Sequence, residues 1–152
     1  MSRSELYHVG IVVQHIEAAS LRLSALLGCE WGPIMESELE VRDGDGNDLV
    51  LPNRARYSTQ APYLELIEEK AGTVWVRNPY SNLHHIGFFT DDLSGEEGAL
   101  HSLRCPLEIM GRAGQAAPTT FTYHRDDDLG IRIEHVDLVL REDLEGYAFK
   151  SV

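Results

Sequence analysis

The chain repeats itself, and the repeat limits the architectures open to it. Tyr7-His8-Val9-Gly10-Ile11-Val12-Val13 returns as His84-His85-Ile86-Gly87-Phe88-Phe89: a His, a β-branched residue, a Gly and an apolar run. His8 and His85 stand 77 residues apart in a chain of 152. Leu64-Glu65-Leu66-Ile67-Glu68 returns as Ile133-Glu134-His135-Val136-Asp137, 69 residues on. Each half therefore opens with a strand-like run carrying His and closes with one carrying Glu. Self-similarity at this spacing calls for a fold built from two like modules.

Within each half the hydrophobic period changes in the same order. Leu6 to Val13 is short, apolar and β-branched, which predicts a buried strand. Ile16 to Leu27 shifts to a helical period. Ile16, Ala19, Leu23, Leu26 and Leu27 form the apolar stripe, away from Glu17, Arg22 and Ser24. Gly28 suits the left-handed position that ends a helix. A strand is expected over Trp31 to Val41. The turn Asp43-Gly44-Asp45-Gly46-Asn47 follows, then a hairpin pair at Leu49 to Arg56 and Tyr63 to Glu68. That acidic turn invites comparison with a calcium loop, but no glutamate follows at the spacing an EF-hand needs.

The second half predicts a strand at Leu83 to Thr90, a helix at Leu93 to Leu103, and strands at Leu107 to Met110, Phe121 to His124 and Ile131 to Val136. Gly111 to Pro118 is expected to form a mobile lid. The expectation is one α+β domain over residues 1–152, built from two βαβββ modules paired about a pseudo-twofold axis. They would form a curved mixed sheet around a metal-binding cup. Module 1 covers about 5–69 and module 2 about 83–137. Residues 70–82 form a linker that Trp75 packs onto the sheet, with Gly72 and Pro79 marking a boundary. The tail 138–152 has no counterpart in the first half. Leu138, Val139, Leu140, Tyr147 and Phe149 predict that it packs, with a partner subunit as one place for it.

Pairing the halves brings equivalent residues together. Strand side chains alternate between faces, so one His and one Glu from each half would meet at the floor of the cup. His8, Glu65, His85 and Glu134 are then a divalent-metal set of two imidazoles and two carboxylates, without thiolate. They suit Zn, Ni, Co, Mn or Fe(II), and an octahedral ion would keep two positions for water or substrate. A carboxylate in an apolar strand is costly unless paired or metal-bound, which also favours ligation by Glu65 and Glu134. His84 is expected to face away from His85. His124 and His135 read as structural or surface residues, and Asp126-Asp127-Asp128 as a solvated turn.

Charge excludes several classes of partner. Asp and Glu total 25 against 13 Lys and Arg, for a net charge of −12. Such a chain is poorly suited to nucleic acid or an anionic membrane surface. No apolar run reaches the ~20 residues that span a bilayer. Residues 1–20 lack the basic start and apolar block of a secretory signal, so a cytoplasmic location is expected. Cys29 and Cys105 form no disulfide framework and are expected to be reduced.

With these pieces in order, the chain over residues 5–137 resembles the vicinal oxygen chelate superfamily. That superfamily includes glyoxalase I, methylmalonyl-CoA epimerase, extradiol dioxygenases and bleomycin-resistance proteins. The resemblance rests on His8-Val-Gly-Ile-Val-Val, Tyr63-Leu-Glu65-Leu-Ile, Leu83-His84-His85-Ile-Gly-Phe and Ile131-Arg-Ile-Glu134. It implies paired βαβββ modules, a metal held by His8, Glu65, His85 and Glu134, and a homodimer. The nearest group is that of glyoxalase I and methylmalonyl-CoA epimerase. The epimerases place Gln at the second ligand position, where this chain has Glu65, and that leans toward glyoxalase I.

The expected activity is that of a divalent-metal-dependent isomerase or lyase working next to a carbonyl through an enediolate or enolate. A ligating carboxylate, Glu134 first and Glu65 second, would move the proton. Candidate substrates are a glutathione- or mycothiol-type hemithioacetal and a 2-substituted acyl-CoA. Arg132 and Arg54 are candidates for meeting an anionic substrate group. The alternatives are a metal-free binding or resistance protein of the same fold and an Fe(II) extradiol-type dioxygenase.

Overall fold

A computed structural model describes residues 4–112 and 117–152. The eight strands are β1 (Glu5–Val13), β2 (Met35–Asp43), β3 (Asp48–Tyr57), β4 (Tyr63–Glu68), β5 (Leu83–Thr90), β6 (Leu107–Gly111), β7 (Phe121–Asp126) and β8 (Ile131–Asp137). The longer helices are α1 (Ile16–Leu27) and α2 (Leu93–Ser102), each directly after the first strand of its half, and short helical turns run over Leu138–Leu140, Arg141–Asp143 and Leu144–Ala148 in the tail. Both halves are thus βαβββ.

The strands follow the order β1-β4-β3-β2-β6-β7-β8-β5. Read outward from the β2–β6 junction, the first half runs 2-3-4-1 and the second runs 6-7-8-5, the same order in equivalent strands. That is the connectivity expected of two modules paired about a pseudo-twofold axis. The sheet is mixed: β1 pairs parallel with β4 and β5 parallel with β8, while β3–β4, β6–β7, β7–β8 and β2–β6 are antiparallel.

Cα packing groups the residues into two compact units that cut across the modules. One comprises residues 4–6, Glu38–Leu51 and His85–Arg141. The other comprises Tyr7–Ser37, Pro52–His84 and Glu142–Val152. In the second unit, Val13, Ile16, Trp31 and Leu66 form a core against which Ile11, Ala19, Leu23 and Leu64 pack. Helix α1 thereby covers the face of β1 and β4 that carries Ile11, Val13, Leu64 and Leu66. It begins where the backbone N–H of Ile16 donates to Glu68 Oε2 at 3.2 Å and ends at Gly28, left-handed with φ 71°. In the first unit, α2 starts under the Asp92 carboxylate, which accepts from the Gly95 N–H at 2.9 Å. Such a cap satisfies a donor the helix start leaves open.

Three expectations change. The second strand begins at Met35, not Trp31: Pro33 has no N–H to give a ladder, and Trp31 forms only an isolated bridge with Ser58. The inward stripe of α1 is Ile16, Ala19, Ser20 and Leu23, while Leu26 and Leu27 are exposed. The tail docks on its own chain through Ala148 and Phe149, both buried, while Tyr147 stays exposed. Trp75 is buried, as expected of the linker. The expected lid over Gly111 to Pro118 falls partly outside the described residues. Among those described, no helix is long and apolar enough to cross a membrane.

Candidate metal centre

Parallel pairing of first and last strands sets the geometry of each half. In the first, Gly10 is the register partner of Glu65. In the second, Gly87 is the register partner of Glu134. His8 lies two residues before Gly10, and His85 two before Gly87, so each His shares a strand face with a residue that has no side chain. The His-x-Gly spacing therefore leaves room beside each Glu and aims an imidazole toward its carboxylate.

The outcome is the same pair twice. His8 Nε2 lies 3.1 Å from Glu65 Oε2, and His85 Nε2 lies 3.3 Å from Glu134 Oε2. Both histidines have no exposure, at 0%, and both glutamates show 7%, so neither carboxylate relies on bulk water. All four residues are buried and are of the types that hold a metal ion.

This donor set fits a divalent ion. Nitrogen and oxygen ligands sit about 2.1 Å from such ions, so two of them at right angles are about 3.0 Å apart. The His–Glu spacings match that separation. Two carboxylates would neutralise a divalent charge, and two neutral imidazoles suit borderline metals.

The two arginines that the sequence offers for an anionic substrate group are committed to carboxylates. Arg132 donates from Nε to Glu108 Oε2 at 2.6 Å and from Nη2 to Glu108 Oε1 at 3.0 Å. Arg54 donates to Glu36, Glu68 and Glu17, joining β2, β3, β4 and α1. Both guanidiniums are thus neutralised by carboxylates of their own unit. Those carboxylates hold the Arg54 pKa well above its ordinary value. His84 turns away from the pair its neighbour joins, and its Nε2 lies 2.9 Å from the Val74 carbonyl oxygen. In the acidic turn, the Asp43 carboxylate accepts from the N–H groups of Asp45 and Asn47 and from Asn47 Nδ2. These bonds close the turn on itself, and hold the Asp43 carboxyl below its usual range.

Sequence reading missed a layer of tyrosines behind the carboxylates. Tyr57 is the antiparallel partner of Glu65 on β3, and Tyr123 is the antiparallel partner of Glu134 on β7. Tyr57 sits edge-on to His8 with ring centroids 5.6 Å apart, and Tyr123 lies 5.0 Å from His85. The signal was present as a Tyr ahead of each Glu. The intervening turns differ in length, which hides the correspondence.

Comparison with known proteins adds a family and a set of folds. The family model described as the Glyoxalase/Bleomycin resistance protein/Dioxygenase superfamily matches residues 7–123. A Streptomyces coelicolor methylmalonyl-CoA epimerase variant, solved in complex with 2-nitronate-propionyl-CoA, superposes with a TM-score of 0.56 at 19% identity. The match covers 88% of this chain and 96% of that one. Methylmalonyl-CoA epimerase from Mycobacterium tuberculosis gives a TM-score of 0.61 at 17% identity, covering 88% and 87%. The comparison with curated proteins gives no match.

Proposed function

The chain belongs to the Glyoxalase/Bleomycin resistance protein/Dioxygenase superfamily, and on that premise we propose that it is a divalent-metal-dependent enzyme moving a proton on the carbon beside a carbonyl. The observation that carries the reading is the doubled His–Glu pair, buried, with donor spacings of 3.1 and 3.3 Å. His8, Glu65, His85 and Glu134 would hold the ion. When bound, a divalent ion stabilises negative charge developing on adjacent substrate oxygens.

The chain's own carboxylates supply the rest. Two carboxylates give one proton acceptor and one proton donor, which is what epimerisation or isomerisation next to a carbonyl requires. Glu134 is assigned as the base that takes the carbon-bound proton, with Glu65 as the second carboxylate. Burial of both excludes water that would compete for the proton. Among substrate classes, a 2-substituted acyl-CoA comes first, because two acyl-CoA epimerases share the fold. A thiol-derived hemithioacetal comes second, on the resemblance of Glu65 to the glyoxalase pattern.

The test joins metal content to proton exchange. Protein purified with added Zn, Ni, Co or Mn should carry about one ion per chain. It should also exchange a substrate C–H proton with deuterated water for one of the two classes. Glu134→Gln keeps an oxygen donor of the same size but no basicity. It should retain part of the metal while exchange falls on the order of 10²–10⁴. Metal-free protein would favour a binding module of the same fold. Bound metal with oxygen uptake on catechols and no exchange would favour a dioxygenase.

A further inference from the structure

The first half of the site contains a hydroxyl chain that ends on a candidate ligand. Tyr7 Oη donates to Tyr57 Oη at 2.8 Å, and Tyr57 Oη donates to Glu65 Oε1 at 2.7 Å. Glu65 Oε2 is the oxygen that approaches His8. The carboxylate therefore has one oxygen held by a phenol and the other directed to the candidate metal position. Tyr7 and Tyr57 are both buried, at 3% and 7% exposure. Their rings are stacked at 5.9 Å, and Phe149 from the tail closes on them, 5.1 Å edge-on to Tyr57 and 3.8 Å stacked on Tyr63. The phenol is thus locked by packing as well as by hydrogen bonding.

The second half is built differently at the matching point. By the repeat, Tyr7 corresponds to His84, and His84 is bound to the Val74 carbonyl oxygen. A tyrosine stands beside each glutamate, and His84, at the position of Tyr7, has no hydroxyl with which to repeat the Tyr7–Tyr57 bond.

We propose that Tyr57 is a positioning residue that fixes Glu65 as a one-oxygen ligand, with Tyr7 fixing Tyr57 in turn. The inference rests on the metal-dependent reading above. A phenol donating to the outer oxygen of a ligating carboxylate fixes its orientation and keeps the inner oxygen facing the ion. Removing such partners typically weakens metal affinity 10- to 100-fold.

The experiment measures Co(II) affinity by chelator competition and the Co(II) ligand-field spectrum, neither of which needs substrate. Tyr57→Phe removes one oxygen and keeps the ring. Its dissociation constant should rise 10- to 100-fold and its spectrum should shift, while the metal-free protein melts within a few degrees of wild type. Tyr7→Phe leaves the Tyr57–Glu65 bond in place and should give a smaller rise in the same direction. Should Tyr57→Phe not fold, the Tyr7→Phe result decides: a rise supports the relay, and a wild-type constant overturns it. Wild-type affinity and spectrum in a folded Tyr57→Phe overturn the positioning role and leave the metal reading standing. Wild-type protein that binds no metal overturns the metal reading and this inference with it.

Discussion

His124 has no solvent exposure, and neither of its ring nitrogens has a hydrogen-bond partner among the described residues. Burial pushes its pKa down to about 4, with His135 and His101 adding to the effect. An unfolded imidazole titrates near 6.5. Between these values the unfolded chain holds a proton that the folded chain does not, so stability falls as pH drops from 6.5 to 4. The contribution is complete above pH 6.5 and lost below about 4, amounting to roughly 3 kcal/mol. His124→Leu should therefore flatten the stability–pH curve of metal-free protein over that window, read by urea unfolding, and should match or exceed wild type at pH 7. Identical slopes in the two proteins would refute the assignment. His124 illustrates what the sequence could and could not convey. It reads from the sequence as a structural or a surface residue, and its burial without ring partners depends on packing between elements distant in sequence. The candidate set His8, Glu65, His85 and Glu134 was legible because the repeat states the His and the Glu twice. Tyr57 and Tyr123 were not, because unequal turns displace one copy from the other.

At the scale of elements, local signals resolved what local physics controls. Helix α1 and strands β4 and β5 follow from hydrophobic period and a glycine cap, and their limits match the sequence reading. Elements shaped by distant packing did not follow. The tail is the clearest case. Its docking depends on Gly32, more than 110 residues earlier, where an added Cβ would meet the backbone carbonyl oxygen of Ala148. The Gly32 carbonyl also accepts from Arg56 Nε and Nη2 at 3.0 and 2.6 Å, which holds that backbone in place. A side chain at this position must push the tail away or shift a bonded strand entry. Gly32→Ala should cost about 1–3 kcal/mol, the usual penalty of overpacking. Phe149→Ala, which empties the space against Tyr63 without a clash, should cost a similar or larger amount. Denaturant midpoints provide the measurement, and a wild-type midpoint for both variants would mean that the tail contributes nothing to stability.

For the whole molecule, charge is the property that no single contact describes. The excess of acids gives −12, and the cations that exist are largely engaged at short range. Arg42 and Arg112 both lie against Asp48, Arg132 against Glu108, Arg141 against Glu5, and Arg54 serves three carboxylates. Hydrogen bonds from Arg54 hold the Glu17 carboxyl down at about 2, and those from Arg42 and Arg112 do the same for Asp48. The remaining acids repel one another over longer distances. Salt acts unequally on these two groups. At 0.1 M the screening length is about 10 Å, which damps distant repulsion while leaving pairs near 3 Å much less affected. Net self-repulsion destabilises the compact state, so screening should favour folding. Raising NaCl from 10 to 150 mM at pH 7 should raise the Tm of metal-free protein by about 3 °C, equivalent to about 1 kcal/mol at this chain length. Arg54→Met should enlarge that rise, because Glu17, Glu36 and Glu68 would face one another without a cation between them. A Tm that falls with salt in wild type, and falls less in Arg54→Met, would mean that short ion pairs outweigh the long-range repulsion.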